Sequence, residues 1–588
     1  MRKSLALLTV ILFAFMSGIP VYSQSGEDEK FKKNLESYLD ALWKFYPTSA
    51  TLNGYHNYDN KLEDFSRKNV EKQYDTLNKF NQQFVAKVDQ GNLSPETLID
   101  YKMIIDALDY EVLKHENLLP WEYNPLLYNK IFTHCIRSLL VGDFAPVDTR
   151  AKNAYGRLKN LPKLIKQAKD NLKTPPEIHT EAALKQFPAI LEIYKNEIPA
   201  LIEETPAAYK GRLQAELAKV VPELESYHDF LKNELLPRSA GNFRLQHAHR
   251  LLLRVILQNN LTLEELVERA KTDYNNIRRE MFLVSIPFFK IMDPPFNIEK
   301  PPSNLTEEML KNTAISHVLN HIKGDHVEKD HFVEAIKQTA DRIKEFISEE
   351  ELIDIPEEFP SIEPMPEAMR TLNWTDLVKP GAYENQGNYI VQVAPIDEDL
   401  SEESLTSLLE EYNNYFLPFY TAREVYPGLF VPLQLSLQEA TLVQKLYPNR
   451  PLLKGWSIFV EEMLMLSGYG NYDLRLRLNQ LKFQLKAVID FLLAFNIHEG
   501  GMTKEQAIAY MTRGGFQTDA EAERNWTKIC LFPEDATLAY VGYQELLDLE
   551  KELKRIRGNS FSRKDFLKEV LSFGPIHLRE LKERLLKQ

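Results

Sequence analysis

The sequence predicts a mainly α-helical protein, and three observations carry that prediction. Apolar residues recur every three or four positions along most of the chain, the period that lines one face of a helix. Hydroxyl side chains repeatedly precede an acidic first turn, as at Ser94-Pro-Glu-Thr97, Thr262-Leu-Glu-Glu265 and Thr306-Glu-Glu308, where the oxygen caps free backbone N–H groups. Strand-like alternation is nearly confined to one stretch, Tyr389-Ile-Val-Gln-Val-Ala394.

The first helix is expected over 31–46, where Leu35, Leu39, Leu42 and Trp43 fall at helical spacing with charges between them. The pattern returns at 70–88, 96–115, 148–172, 181–201, 207–236, 263–281 and 306–322. It continues at 333–347, 404–419, 433–446, 455–466, 474–495, 504–511, 519–529, 538–557 and 563–571. Ahead of the 404–419 helix, the small β element is expected near 389–394. The proline-rich run 355–366 (Ile-Pro-Glu-Glu-Phe-Pro-Ser-Ile-Glu-Pro-Met-Pro) reads as an extended connector. It sets a soft boundary between an N-terminal helical part, 24–350, and a C-terminal part, 365–588. With no repeat and no long flexible linker, the two are expected to pack as one body.

Residues 1–23 read as a secretory signal peptide: Met1-Arg2-Lys3 is basic, 5–19 is apolar, and Val21 and Ser23 supply the small-residue spacing near the expected cleavage point. Roughly 15 apolar residues fall short of the ~20 that a spanning helix needs. No Cys follows the apolar run, which argues against a lipid anchor. The expectation is an exported protein, periplasmic or secreted, with no stable membrane anchor. Its 588 residues are 44% hydrophobic and 27% charged, enough for a large core and unlike a disordered chain. A formal charge of −14 argues against nucleic acid as a partner, because a phosphate backbone needs a basic surface. Cys135 and Cys530 are compatible with one disulfide or with two buried free thiols.

The most informative stretch is Thr421-Ala-Arg-Glu-Val-Tyr-Pro-Gly-Leu-Phe430, taken with Lys454-Gly-Trp-Ser457. Together they resemble the H-E-x-x-P-G-H and E-G-W-A motifs of a bacterial family called domain of unknown function 885, whose members look like zincin-type metallopeptidases. The likeness extends along nearly the whole chain. It includes 42–47 with 52–54, Trp121 to Leu126, Thr174 to Glu181, and Leu236-Pro-Arg238 with Phe243-Arg-Leu245. Further on it includes Met502 to Ala507, Gly515-Phe516, Tyr540-Val-Gly542 and Leu571-Ser-Phe-Gly574. The resemblance implies a large helical zincin-like fold, a catalytic zinc, and a Glu that takes a proton from metal-bound water.

In this chain Arg423 and Leu429 stand where the two His ligands belong, and Lys454 stands where the E-G-W-A Glu belongs. A catalytic zinc needs about three protein ligands and an open position. Arg carries no lone pair for a metal, Leu carries no donor atom, and Lys would have to be neutral. Glu424, the implied general base, is present, as are the backbone-setting Pro427, Gly428, Gly455 and Trp456. The family's Arg and Asp on the helix before its His appear here as Asp490 and Ala494, whereas His498 remains.

The expectation is therefore an exported pseudopeptidase with no metal and no other cofactor. Arg423, Glu424, Leu429, Lys454 and Glu461 form its vestigial site, and its cleft keeps a peptide or protein ligand. Glu461 lies two helical turns after Lys454, on the same face, so a salt-bridge cluster is expected to replace the metal. His498, Tyr540 and Gly542 are the expected ligand contacts; for Tyr540 the alternative is a place in a helix core. One competing reading is an active dipeptidase- or carboxypeptidase-like zinc enzyme with ligands such as Glu424, Glu461 and His498. Another is a purely structural envelope protein. His317 and His321, four apart, could chelate a metal, but their charged neighbours read as a solvated surface. No G-x-S-x-G elbow, Walker loop or dinucleotide fingerprint occurs.

Overall fold

Phe31, Leu35, Tyr38, Leu39, Leu42 and Trp43 all turn to one side of a helix over Gly26–Phe45 and are buried there, as the period-3.6 pattern requires. The computed structural model describes residues 26–259, 261–292, 305–370, 373–384, 387–397 and 399–587. The expected signal peptide, 1–23, lies outside them.

The protein is mainly helical with one small mixed sheet. Most expected helices are present within a turn of their anticipated ends, among them Arg67–Lys87, Pro95–Leu113, Val147–Asn171, Phe332–Glu349 and Asp535–Arg557. Ser94 and Thr306 cap their helices by accepting from Thr97 N and Met309 N. Two expected helices are each broken in two. The 404–419 stretch divides into Glu402–Glu411 and Leu417–Glu424. Asn413 breaks it, its Oδ1 accepting from Tyr415 N at 3.0 Å and Phe416 N at 3.2 Å, and Pro418 opens the second helix. The 433–446 stretch divides into Phe430–Leu437 and Leu442–Leu446, with Thr441 capping the second. Helices over Pro125–His134, His247–Leu257 and Leu578–Lys587 are additional to those expected.

The sheet has three strands: β1 (Ser361–Pro364), β2 (Thr375–Val378) and β3 (Ile390–Val393), in the order β1-β3-β2. β3 is the expected element. The proline-rich connector is partly a strand, for β1 pairs parallel with β3, Ser361 against Ile390. Pro364 ends the pairing at the sheet's edge, where a residue with no N–H is tolerated. β2 runs antiparallel to β3 on its other side.

The helix Leu474–His498 is buried on nearly every side. It contributes Phe483 to one apolar core, Leu481, Leu485 and Ile489 to a second, and Phe491 and Phe495 to a third. The first core also joins Phe31 and Leu35 to Phe459, Leu546 and Leu585. Beside this central helix, Arg450–Leu466 and Asp535–Arg557 cross with backbone against backbone. A Cβ on Gly542 would lie 1.8 Å from Pro451 O, and one on Gly455 would lie 2.1 Å from Gly542 C. Cys135 and Cys530 are both buried free thiols, in separate cores. Among the described residues no helix is long and apolar enough to cross a membrane.

Candidate functional site

The helix Leu417–Glu424 stops abruptly, and the following turn folds back onto its end. Val425 N and Tyr426 N both donate to Thr421 O, at 3.0 and 2.9 Å, and Gly428 N donates to Ala422 O at 2.7 Å. The Tyr426–Pro427 peptide is cis. Gly428 is required by space, because a Cβ there would lie 2.4 Å from Arg423 O and 2.5 Å from Ala422 O. The turn leaves Arg423 and Glu424 on the last helical turn. Aromatic side chains seat it against the sheet region: the Tyr426 and Phe359 ring centroids are 4.8 Å apart, and those of Phe430 and Tyr389 are 5.3 Å apart.

Arg423 is 4% exposed, and Glu461, on the crossing helix, is fully buried. Arg423 Nε donates to Glu461 Oε2 at 2.8 Å, and Nη2 lies 2.7 Å from the same oxygen. The guanidinium carbon also sits 3.4 Å from the centroid of the Phe483 ring, an arrangement that favours a desolvated cation. Gln480 Nε2 donates to Glu461 Oε1 at 3.1 Å. Burial pushes the Glu461 carboxyl up to about 7, against the opposing pull of Arg423 and Gln480.

A second pair stands beside the first. Lys454 Nζ donates to Glu424 Oε2 at 2.8 Å, at the edge of the buried region. Burial pushes the Glu424 carboxyl up, but Lys454, Lys528 and Arg423 together outweigh it and hold the group down at about 2. A general base works best with a pKa near the working pH, so Glu424 is poorly suited to take a proton from water. Leu429 is half-buried at the start of Phe430–Leu437. The residues present do not fit a zinc ion: Arg423 and Leu429 offer no lone pair, and the Lys454 ammonium is spent on Glu424. Among the described residues no three His, Cys, Asp or Glu side chains are grouped to hold a metal.

The other singled-out residues make none of the contacts of these two pairs and have partners of their own. His498 is fully buried, with Nε2 3.0 Å from Ile529 O and Nδ1 accepting from Leu245 N at 3.4 Å. Burial pushes its pKa down to about 4, so the ring is neutral and both nitrogens are occupied. That leaves it no lone pair for a metal alongside Glu424 and Glu461. Tyr540 is buried against Phe491 and donates to Asp273 Oδ2 at 2.8 Å. Gly542 makes the helix crossing. Asp490 accepts from Asn525 at 2.6 Å and pairs with Lys486 at 3.0 Å, while Ala494 is core. His317 lies edge-on to Phe289. Sequence reasoning did not find Gln480 and Phe483, or Lys528; they come from helices far along the chain, and no local pattern ties them to Arg423.

Residues 47–585 match the model of a family described as bacterial protein of unknown function (DUF885). Among solved structures, the chain is similar to a candidate lipoprotein of unknown function from Shewanella oneidensis, at 25% identity and a TM-score of 0.78, over 95% of this chain and 99% of that one. It is also similar in fold to a candidate lipoprotein from Colwellia psychrerythraea, at 15% identity and a TM-score of 0.74, over 96% of this chain and 99% of that one. No curated protein matches the chain.

Proposed function

The chain belongs to the domain of unknown function 885 family, and we propose that within it this member is an exported pseudopeptidase. It keeps a peptide- or partner-binding cleft and does not hydrolyse its ligand through zinc. One observation carries the reading: Arg423 and Lys454, at two of the positions where the resemblance implies metal ligands, are each paired with a carboxylate, Glu461 and Glu424. A zinc dication with a ligand Glu and a base Glu is thus replaced by two fixed cations on two carboxylates. The depressed pKa of Glu424 supports the same reading, since so weak a base is poorly matched to taking a proton from water near neutral pH. Export is supported by the basic and apolar opening of the sequence and by the solved relative at 25% identity, itself described as a candidate lipoprotein.

The test is elemental analysis of the purified protein together with a peptidase assay with and without chelator. The expected result is no stoichiometric zinc and no chelator-sensitive cleavage; stoichiometric zinc with chelator-sensitive cleavage overturns the reading. In the triple variant R423H/L429H/K454E, zinc affinity is expected to appear. A peptide library bound by the wild-type protein without turnover is the expected sign of a working cleft.

A further inference from the structure

Away from Arg423 and Lys454, the helices Glu307–Ile322, Glu402–Glu411 and Leu474–His498 enclose a cavity of about 780 Å³ with the turn that leads into Asp519–Leu531. That is ample room for a small molecule. Most of its lining residues are polar, with Leu319 and Phe516 among them, and the polar groups are unevenly satisfied. Gln517 is 4% exposed, yet neither its Oε1 nor its Nε2 has a partner in the protein. Asn479, fully buried, leaves its Oδ1 unpaired. Thr518 occupies the position before the helix Asp519–Leu531, but its hydroxyl does not cap that helix and is unpaired. Buried polar groups of this kind are nearly always bonded, and leaving them open is costly. Phe516, which starts the turn, holds a φ of 59°, a conformation uncommon for a non-glycine residue and found at ligand-holding turns.

The charge of the cavity selects its occupant. Its two lysines are already taken, Lys323 by Glu410 at 2.8 Å and Lys482 by Glu411 at 2.9 Å. Glu402, Glu403 and Asp519 line it with no ion-pair partner among the described residues. The open side-chain atoms are mostly acceptors: carboxylates at the rim, and Asn479 Oδ1 and Gln517 Oε1 in the wall, against one donor, Gln517 Nε2, and the Thr518 hydroxyl, which can act either way. We propose that this cavity binds a small organic ammonium, its charge met by Glu402, Glu403 and Asp519 and its N–H groups by Asn479 and Gln517. The chemistry is shared by a free aliphatic polyamine and by the amino end of a short peptide.

Calorimetric titration of the full chain with spermidine, with triglycine amide and with N-acetyl-triglycine amide separates these sources. Saturable binding of spermidine alone assigns the free polyamine. Binding of the tripeptide that acetylation abolishes assigns the peptide amino end. In either case Q517L is expected to weaken binding at least tenfold while unfolding at the same or a higher temperature, because it removes an unpaired amide. The exposed-rim variant E402Q/E403Q is expected to weaken binding at least tenfold as well, and it decides the matter if Q517L does not fold. No saturable binding of any probe overturns the proposal. So does binding that E402Q/E403Q leaves within twofold, which would mark general attraction to a chain of net charge −14.

Discussion

Arg423 brings a permanent charge into the interior and is matched there by one carboxylate, Glu461, and one ring, Phe483. Removing one partner of such a pair leaves a buried charge uncompensated, whereas removing both need cost little. R423A is therefore expected to lower the free energy of unfolding by about 3–5 kcal/mol in a urea titration. The double variant R423L/E461L is expected to recover most of that loss. Recovery would identify the pair as a matched unit rather than two independent contributions. The spacing of Lys454 and Glu461 on one helical face is visible in the sequence, and so is the adjacency of Arg423 and Glu424 in the motif. That Glu461 turns to Arg423 while Lys454 turns to Glu424 depends on how two helices cross, which neighbouring residues do not encode. Gln480 and Phe483 complete the pocket from a third helix.

At the scale of elements, the crossing of Arg450–Leu466 with Asp535–Arg557 sets the depth at which Lys454 and Glu461 meet the motif helix. Its close approach depends on Gly455 and Gly542. A methyl on Gly542 has no space, so G542A is expected to destabilise the protein by about 1–3 kcal/mol or more through forced separation of the helices. It should also weaken any ligand binding near Lys454, which thermal denaturation paired with a binding assay would show. Helices were legible wherever the apolar period ran unbroken, as in Val147–Asn171 and Asp535–Arg557. The misses have local causes. Asn413 interrupts a pattern that continues on either side of it, because its side chain competes for backbone N–H groups. β1 was hidden by prolines, since at an edge strand only one side of the backbone must pair.

For the molecule as a whole, burial holds His115, His134, His179, His498 and His577 each down at about 4. An unfolded chain takes up these protons near the ordinary histidine pKa of about 6.5. The folded state resists them, so stability is full above that value and is lost as pH falls from about 6.5 toward 4. A melting temperature that declines across this window, before most carboxylates titrate, is the expected outcome; a flat profile from 6.5 to 5 would contradict it. Finally, the core that holds Phe31 and Leu35 also holds Leu581 and Leu585, so residues from opposite ends of the chain close it together. A ribosome or an export channel releases one end long before the other. The part of this core that Leu578, Leu581 and Leu585 cover therefore stays open until the helix Leu578–Lys587 has emerged. Loss of Leu578–Lys587 should cripple maturation far more than its length suggests.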